Sequence, residues 1–249
     1  MSKYKVDLNA DLGEGAGYDE ELIPLLTSAN IACGFHAGKP EMMQEAVKVC
    51  KEYDVHVGAH PSFPDVWGFG RREMKCSEEE IISYILYQLG ALDAFCKAEG
   101  VKMHHVKPHG AIYNMAWRDM EVAEAIVKGI KLYDKDLILF AQFNSFLAKA
   151  GKEIGLKVAY EVFADRAYDN DGSLTSRKKD NSVLNDEEHV LERTLKMVTE
   201  GKVITYKNEE LDLKADTVCL HGDNPAAIML AQSIRQGLME EDIEIKAPK

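Results

Sequence analysis

Nothing in this sequence pairs its cysteines. The five, Cys33, Cys50, Cys76, Cys96 and Cys219, are odd in number, scattered and never spaced as CxxC. That excludes a disulfide framework as the basis of the fold and leaves reduced thiols as the expectation. No stretch approaches the roughly 18 apolar residues of a membrane span. The opening residues, MSKYKVDLNADLGEG, lack the apolar core of a signal peptide, so a cytoplasmic protein is expected. A basic excess is missing too. The formal net charge is -12, and nucleic acid and anionic membrane both select basic surface, so neither is an expected partner. No GxGxxG or GxxxxGK[ST] loop is present, which removes the usual phosphate cradles. Gly68-Phe69-Gly70-Arg71 comes nearest, but it lacks the third glycine and does not follow a strand directly. No Pro/Ser-rich linker, low-complexity tract or internal repeat divides the 249 residues, so residues 1–249 read as a single domain.

What is present is apolar material for a large core, 46% of the residues, arranged as short β-branched runs alternating with longer helical patterns. That alternation is the mark of βα units around a parallel sheet. Strands are expected at Lys5–Asn9, Ala29–Cys33, His56–His60, His104–Pro108, Leu137–Ala141, Lys157–Ala164 and Thr217–Leu220. Helices are expected near Tyr18–Leu26, behind Pro40, over Ser77–Glu99, after Asp119, and over Ser145–Glu153, Asp186–Glu200 and Pro225–Leu238. Ser77 with Glu80 forms a capping box. Lys202–Lys214 reads as a small hairpin turning near Asn208. Seven successive units favour a seven-stranded parallel (β/α) barrel of TIM-like type over an open doubly wound sheet.

Parity locates the chemistry. Side chains alternate across a strand, so odd-numbered residues of one strand share a face. That face carries Asp7, Asn9 and Asp11 on the first strand, His56, Gly58 and His60 on the third, and His105, Lys107 and His109 on and beyond the fourth. It carries Glu161 and Asp165 on and beyond the sixth, and Cys219, His221 and Asp223 on and beyond the seventh. Parallel barrel strands are ordinarily apolar on both faces, and a buried charge is costly unless paired or wet. A polar face repeated on five strands therefore implies a site at the C-terminal mouth, where barrel enzymes place their chemistry.

The individual residues follow from position. His36, His60, His109 and His221 each stand at a strand end. One such histidine is ordinarily a structural hydrogen bonder, whereas four make a functional cluster. His56 and His105 lie deeper, in supporting positions, and His104 and His189 read as surface or packing residues. Asp11 and Glu14, in DLGEG, are loop caps or groups for acid–base or ion chemistry. Lys107, pointing inward among histidines, suits an anion or oxyanion, with Glu161 or Asp165 as its resting partner. Asn9, Arg71, Arg72, Arg166 and Asp223 are the candidate substrate or phosphate contacts, since arginine forks match carboxylates and phosphates. Surface ion pairs are the alternative for those arginines and for Arg177. Asp11, His36 and His60 also have the residue types of a divalent metal site with open positions, although no HExxH helix accompanies them.

Long ordered motifs then carry a resemblance. DLNADLGEG (7–15), SANIACGFHAG (28–38), GAHPSFPD (58–65), GFGRREM (68–74), HVKPHGAIYN (105–114), EVFADRAYDNDGSL (161–174) and HGD (221–223) resemble the LamB/YcsF family, the 5-oxoprolinase A subunits, over nearly the whole chain. Ala10, and Ser62 with Phe63, depart from that pattern (Cys and Gly-Tyr are common there) without removing a charged or histidine position. The resemblance implies a seven-stranded barrel of the glycoside hydrolase/deacetylase type. It further implies hydrolysis of 5-oxoproline to glutamate, ATP with Mg as co-substrate, and partner subunits B and C. It tilts the expectation toward ATP contact within this chain. In that chemistry Arg71, Arg72 or Arg166 would hold the substrate carboxylate, Lys107 and the histidines would face the phosphorylated oxygen, and Asp11 would activate water. A metal-dependent deacetylase-like amide or carbohydrate hydrolase is the alternative. A non-catalytic component that hands a small acid to a partner is a third.

Overall fold

The computed structural model describes residues 2–222 and 224–249. Asp223, a candidate contact from the sequence, lies outside the described residues. β1 (Lys5–Leu12) opens the chain and runs three residues further than its β-branched signal, which brings Asp11 into the strand. α1 (Asp19–Leu22) is a single turn, followed by a 3-10 turn over Ile23–Leu25. The expected longer helix is not formed, because Pro24 cannot donate within it. β2 (Ser28–Ala32), α2 (Pro40–Glu52, with Pro at its first position) and β3 (His56–His60) follow. α3 (Glu78–Glu99) carries the expected Ser77–Glu80 capping box and ends on left-handed Gly100.

β4 (His105–Val106) is shorter than expected. Beyond it the chain still bonds β3 and its continuation on one side, through Lys107 N–H to Ala59 O and His109 N–H to Pro61 O, but, among the described residues, not a second strand. α4 (Gly110–Arg118) was not expected. It abuts α5 (Met120–Tyr133), and Asp119 both ends the one and caps the other with its side chain. β5 (Ile138–Gln142), α6 (Phe146–Ile154), β6 (Lys157–Phe163) and α7 (Glu187–Thr199) stand close to their predicted places. β7 (Lys202–Ile204) and β8 (Glu210–Asp212) are the expected hairpin, with Asn208 at φ +62° in its turn. β9 (Thr217–His221) and α8 (Ala227–Glu240) precede β10 (Glu244–Ile245), a strand with no signal in the sequence that pairs with the start of β1.

Among the described residues the sheet order is β1-β2-β3-β4-β5-β6-β9, all parallel, and β9 pairs back onto β1. That last pairing closes a seven-stranded barrel and rules out the open sheet. The helices cover its outside, where the main apolar core lies between them and the outward strand residues such as Leu8, Leu12, Ile31 and Val57. No described helix is long and apolar enough to cross a membrane.

Candidate active site

The barrel interior is a stack of polar layers. At its floor the Asp7 carboxylate accepts from Thr27 (2.5 Å), Ser28 (2.8 Å) and Thr217 (2.5 Å). Burial nevertheless raises its pKa, with those hydroxyls only partly offsetting the effect. Above it Asn9 Nδ2 donates to Thr217 Oγ1 at 2.6 Å, and Asn30 Nδ2 donates to Asn9 Oδ1 at 2.7 Å. His105 Nε2 donates to Asn30 Oδ1 at 2.8 Å. Asn9 is thus consumed inside the barrel, below the mouth, and is not placed as a substrate contact. His105 has the expected supporting position. His56 does not: it is exposed at the opposite end of the barrel and stacks on His104. Gly58 leaves room for the His105 ring to cross the interior, for a Cβ at this position would collide with the ring.

The next layer carries the charge. Lys107 Nζ lies 2.7 Å from Asp11 Oδ1, 3.0 Å from Glu161 Oε1 and 2.8 Å from Cys219 Sγ. The Glu161 contact is an ion pair off the hydrogen-bonding direction, so Oε1 has no hydrogen bond among the described residues. Glu161 Oε2 accepts from Tyr113 Oη at 2.7 Å. Burial opposes charging of Lys107, but the Asp11 and Glu161 carboxylates outweigh it and hold the ammonium well above the ordinary lysine range. Burial likewise pushes Asp11 up, and the charges of His60 and Lys107 reverse that, holding it well below the usual carboxylate range. Burial drives the Cys219 thiol well up, against Lys107, so it stays protonated and is no nucleophile. Of the two partners foreseen for Lys107, Glu161 is one; Asp165 instead pairs with His221 Nδ1 at 2.9 Å. Burial opposes ionisation of Asp165, and His221 lowers its pKa overall.

At the mouth Glu14, His36, His60 and His109 converge, brought together from beyond β1 and β2, the end of β3 and beyond β4. Glu14 Oε1 is 2.9 Å from His36 Nε2, 3.2 Å from His109 Nδ1 and 3.7 Å from His60 Nε2. His36 and His109 stack at 3.7 Å between centroids. Burial, then the neighbouring His109 charge, lowers His36 to about 3. Asp11 reaches His60 Nε2 only at 3.4 Å. The metal-type grouping expected from Asp11, His36 and His60 is therefore corrected: Glu14 and His109 join the two histidines, and Asp11 turns toward Lys107. Glu14 and His36 also line an open cleft of about 940 Å³ that runs past Gly34, Lys39 and Phe69.

The arginines divide. Arg72 holds Asp65, with Nε 2.9 Å from Oδ1, and its side chain is largely exposed. This is the ion-pair alternative that the sequence left open, although its carboxylate is buried. Arg166 is buried and donates to Ser182 O (3.2 Å) and Thr175 O (2.7 Å), bracing the loop after β6. Its pKa is lowered to about 10 by burial and then by Arg177, with a smaller contribution from Arg71, so the three guanidiniums share one region of the rim. Arg71 lies over the Phe69 ring at 4.8 Å.

Three residues of this region are not among the candidates that the sequence suggests. Tyr113 is on the unforeseen α4. Gln142, the register neighbour of Glu161, is buried, and its Nε2 has no hydrogen-bond partner among the described residues. Arg193, on α7, clamps the carbonyls of Phe163, Ala164 and Arg166. Parity on β5 would have found Gln142; nothing local marks the other two.

A closed parallel barrel whose mouth gathers paired carboxylates, an ammonium and clustered imidazoles defines a protein equipped for acid–base or metal-assisted chemistry on a small polar molecule. The chain belongs to the LamB/YcsF family, whose profile matches residues 6–249. It is 51% identical over 246 residues to a protein of Pyrococcus horikoshii named as the A subunit of 5-oxoprolinase, an alignment that covers 97% of this chain and 96% of the relative. The crystal structure of a lactam utilization protein from Thermus thermophilus superposes with a TM-score of 0.91 at 46% identity, over 98% of this chain and 100% of that one. A peptidoglycan deacetylase from Bacillus subtilis shares the fold alone, at a TM-score of 0.51 and 11% identity over 98% of this chain and 88% of that one.

Proposed function

We propose that this chain opens the lactam ring of 5-oxoproline to give glutamate, as the A subunit of an ATP-driven 5-oxoprolinase that works with subunits B and C. One observation carries the reading. The Asp11–Lys107–Glu161 layer and the imidazoles above it belong to a chain 51% identical, across 97% of its length, to a relative of that name. The lactam is an unstrained, resonance-stabilised amide and needs an external energy source. Mg-bound ATP supplies it by phosphorylating the lactam oxygen, which turns a poor electrophile into a good one.

The chain's own residues account for the rest. Arg71, whose guanidinium lies over Phe69 at the rim, attracts the substrate carboxylate. Lys107 faces the ring carbonyl oxygen and stabilises the charge that develops there. Asp11, held ionised, takes one proton from the attacking water as its oxygen bonds to the carbonyl carbon. It returns that proton to the ring nitrogen as the C–N bond breaks. The hydroxyl proton passes to the freed amine, leaving γ-glutamyl phosphate, and a second water then displaces the phosphate to give glutamate and inorganic phosphate.

The test is glutamate release from 5-oxoproline by this chain co-expressed with B and C subunits, with and without Mg-ATP, beside an Asp11→Asn control. ATP-dependent release that the control abolishes supports the reading. ATP-independent release overturns it in favour of a metal-dependent amide hydrolase, a reading the imidazole cluster favours. Release unaffected by Asp11→Asn removes Asp11 as the base.

A further inference from the structure

Glu14 Oε1, His36 Nε2, His60 Nε2 and His109 Nδ1 all lie within 4.8 Å of one another. What makes this more than a cluster is the state of the outward nitrogens. His60 Nδ1 is 2.7 Å from Lys107 O, and His109 Nε2 is 2.9 Å from Phe69 O. A backbone carbonyl only accepts, so both of these ring nitrogens carry the proton. His36 Nδ1 is 2.9 Å from Ser62 Oγ, which donates its own proton to Phe63 O at 2.8 Å. Ser62 Oγ therefore accepts from His36 Nδ1. In the neutral rings all three inward nitrogens then present lone pairs to the same small space beside Glu14.

His60 Nε2 and His109 Nδ1 face each other at 2.9 Å, a contact that needs either a shared proton or a bound cation between the two nitrogens. Glu14 Oε1 brings a fourth acceptor to the same place. A cation between them satisfies all four, either a proton shared by the His60 and His109 nitrogens or a metal ion that displaces it. Their separations of 2.9, 2.9, 3.2 and 3.7 Å suit the shell of an ion held at about 2.0–2.2 Å, whose ligands stand roughly 3.4 Å apart in a tetrahedron.

We propose that Glu14, His36, His60 and His109 bind one divalent transition-metal ion of the zinc class. Three imidazoles and one carboxylate oxygen favour zinc, cobalt or iron over calcium or magnesium, which take oxygen ligands. Each imidazole is already oriented by an acceptor behind it, the arrangement that fixes metal-binding histidines. Gly70, at φ +64°, lets His36 and His109 stack, since a Cβ there would lie 2.8 Å from His109 Cδ2 and 2.9 Å from His36 Cβ. The cleft beside Glu14 and His36 admits the ion and leaves it a position for water or a carbonyl oxygen. A metal there polarises that carbonyl or acidifies that water next to Asp11. The site stands on geometry alone and does not depend on the oxoprolinase reading.

The test reads binding, not turnover. The purified full-length chain is stripped with a chelator and titrated with Zn²⁺ by calorimetry, and with Co²⁺ by its visible d–d absorption. One ion per chain is expected, with a raised thermal midpoint and the absorption intensity of a four- or five-coordinate site. Glu14→Gln and His36→Asn should each weaken binding by well over 10-fold. Ser62→Ala, which removes only the acceptor behind His36, should weaken it by about 10- to 100-fold and serves if a ligand variant fails to fold. Circular dichroism establishes folding in each case. No stoichiometric binding by the folded wild-type chain overturns the proposal. So does binding that the substitutions in folded variants leave unchanged.

Discussion

Lys107 Nζ meets Asp11 Oδ1 at 2.7 Å inside the barrel, where Lys107 is 2% exposed and Asp11 4%. A buried pair of this kind is held by mutual need, because either charge left alone would carry its full desolvation penalty. Lys107→Met should therefore destabilise the chain by about 3–5 kcal/mol. Adding Asp11→Asn to it should recover part of that loss, since the second change removes one of the two stranded carboxylates, Glu161 being the other. Urea denaturation of the two single variants and the double variant measures the coupling, and strictly additive losses would show that the pair is not coupled. In the glutamate-release assay Asp11→Asn should lower turnover by about 100-fold or more.

Tyr113 supports the other carboxylate. Its hydroxyl is the hydrogen-bond donor to Glu161 Oε2. Tyr113→Phe should cost about 1–3 kcal/mol by leaving that oxygen unsatisfied. It should also lower turnover more than it changes KM, because Glu161 helps position Lys107. Denaturation within about 0.5 kcal/mol of wild type, the range of a neutral surface change, would mean that the hydroxyl has no such role.

Gly58→Ala tests the interior packing. The added methyl has no space beside the His105 ring, so the ring must leave Asn30 Oδ1. A loss of about 1–3 kcal/mol is expected for such overpacking, together with a shift in the His105 ring resonances. An unchanged ring environment would contradict the geometry.

The pH dependence follows from His105. Burial first, then the charges of His104, His56, Lys107 and His60, hold its pKa well below the ordinary 6.5. The unfolded chain therefore binds a proton that the folded chain refuses. The contribution of His105 is complete above about pH 6.5 and falls as the pH drops through the window beneath it, by about 1.4 kcal/mol per unit for one proton. His36, lowered to about 3 by burial and His109, adds a loss in the same direction over the range from 6.5 to 3. His60, raised by Asp11 although burial opposes, acts in the opposite sense and is common to both proteins compared. His105→Gln should flatten the slope between pH 6 and 5 by about 1.4 kcal/mol per unit. Identical slopes for the two proteins would sink the assignment.

The fold and much of the site were legible because both rest on short-range rules. The odd-numbered polar residues of β1, β3, β4 and β9 follow from strand parity alone, and the capped start of α3 from Ser77 and Glu80. α4 was hidden because Asp119, which marks the start of one helix, also ends another. β10 was hidden because its two residues extend only against β1, a partner far away in sequence. Arg166 looks like a ligand contact in sequence because the chain shows a guanidinium there and not the carbonyls of Thr175 and Ser182 that occupy it.

The sequence by itself determined that polar side chains would line the inside of a parallel barrel and crowd toward its C-terminal mouth, since alternation and strand order are properties of the chain. Only the tertiary structure decided which of them touch. Barrel closure through β1 and β9 sets the stagger between strands. That stagger places Asp11 against Lys107 rather than within the imidazole cluster, carries Glu14 in to take its place, and sends Asp165 to His221. Contacts among residues dozens of positions apart depend on where the strands lie in the ring, and no local pattern encodes that placement.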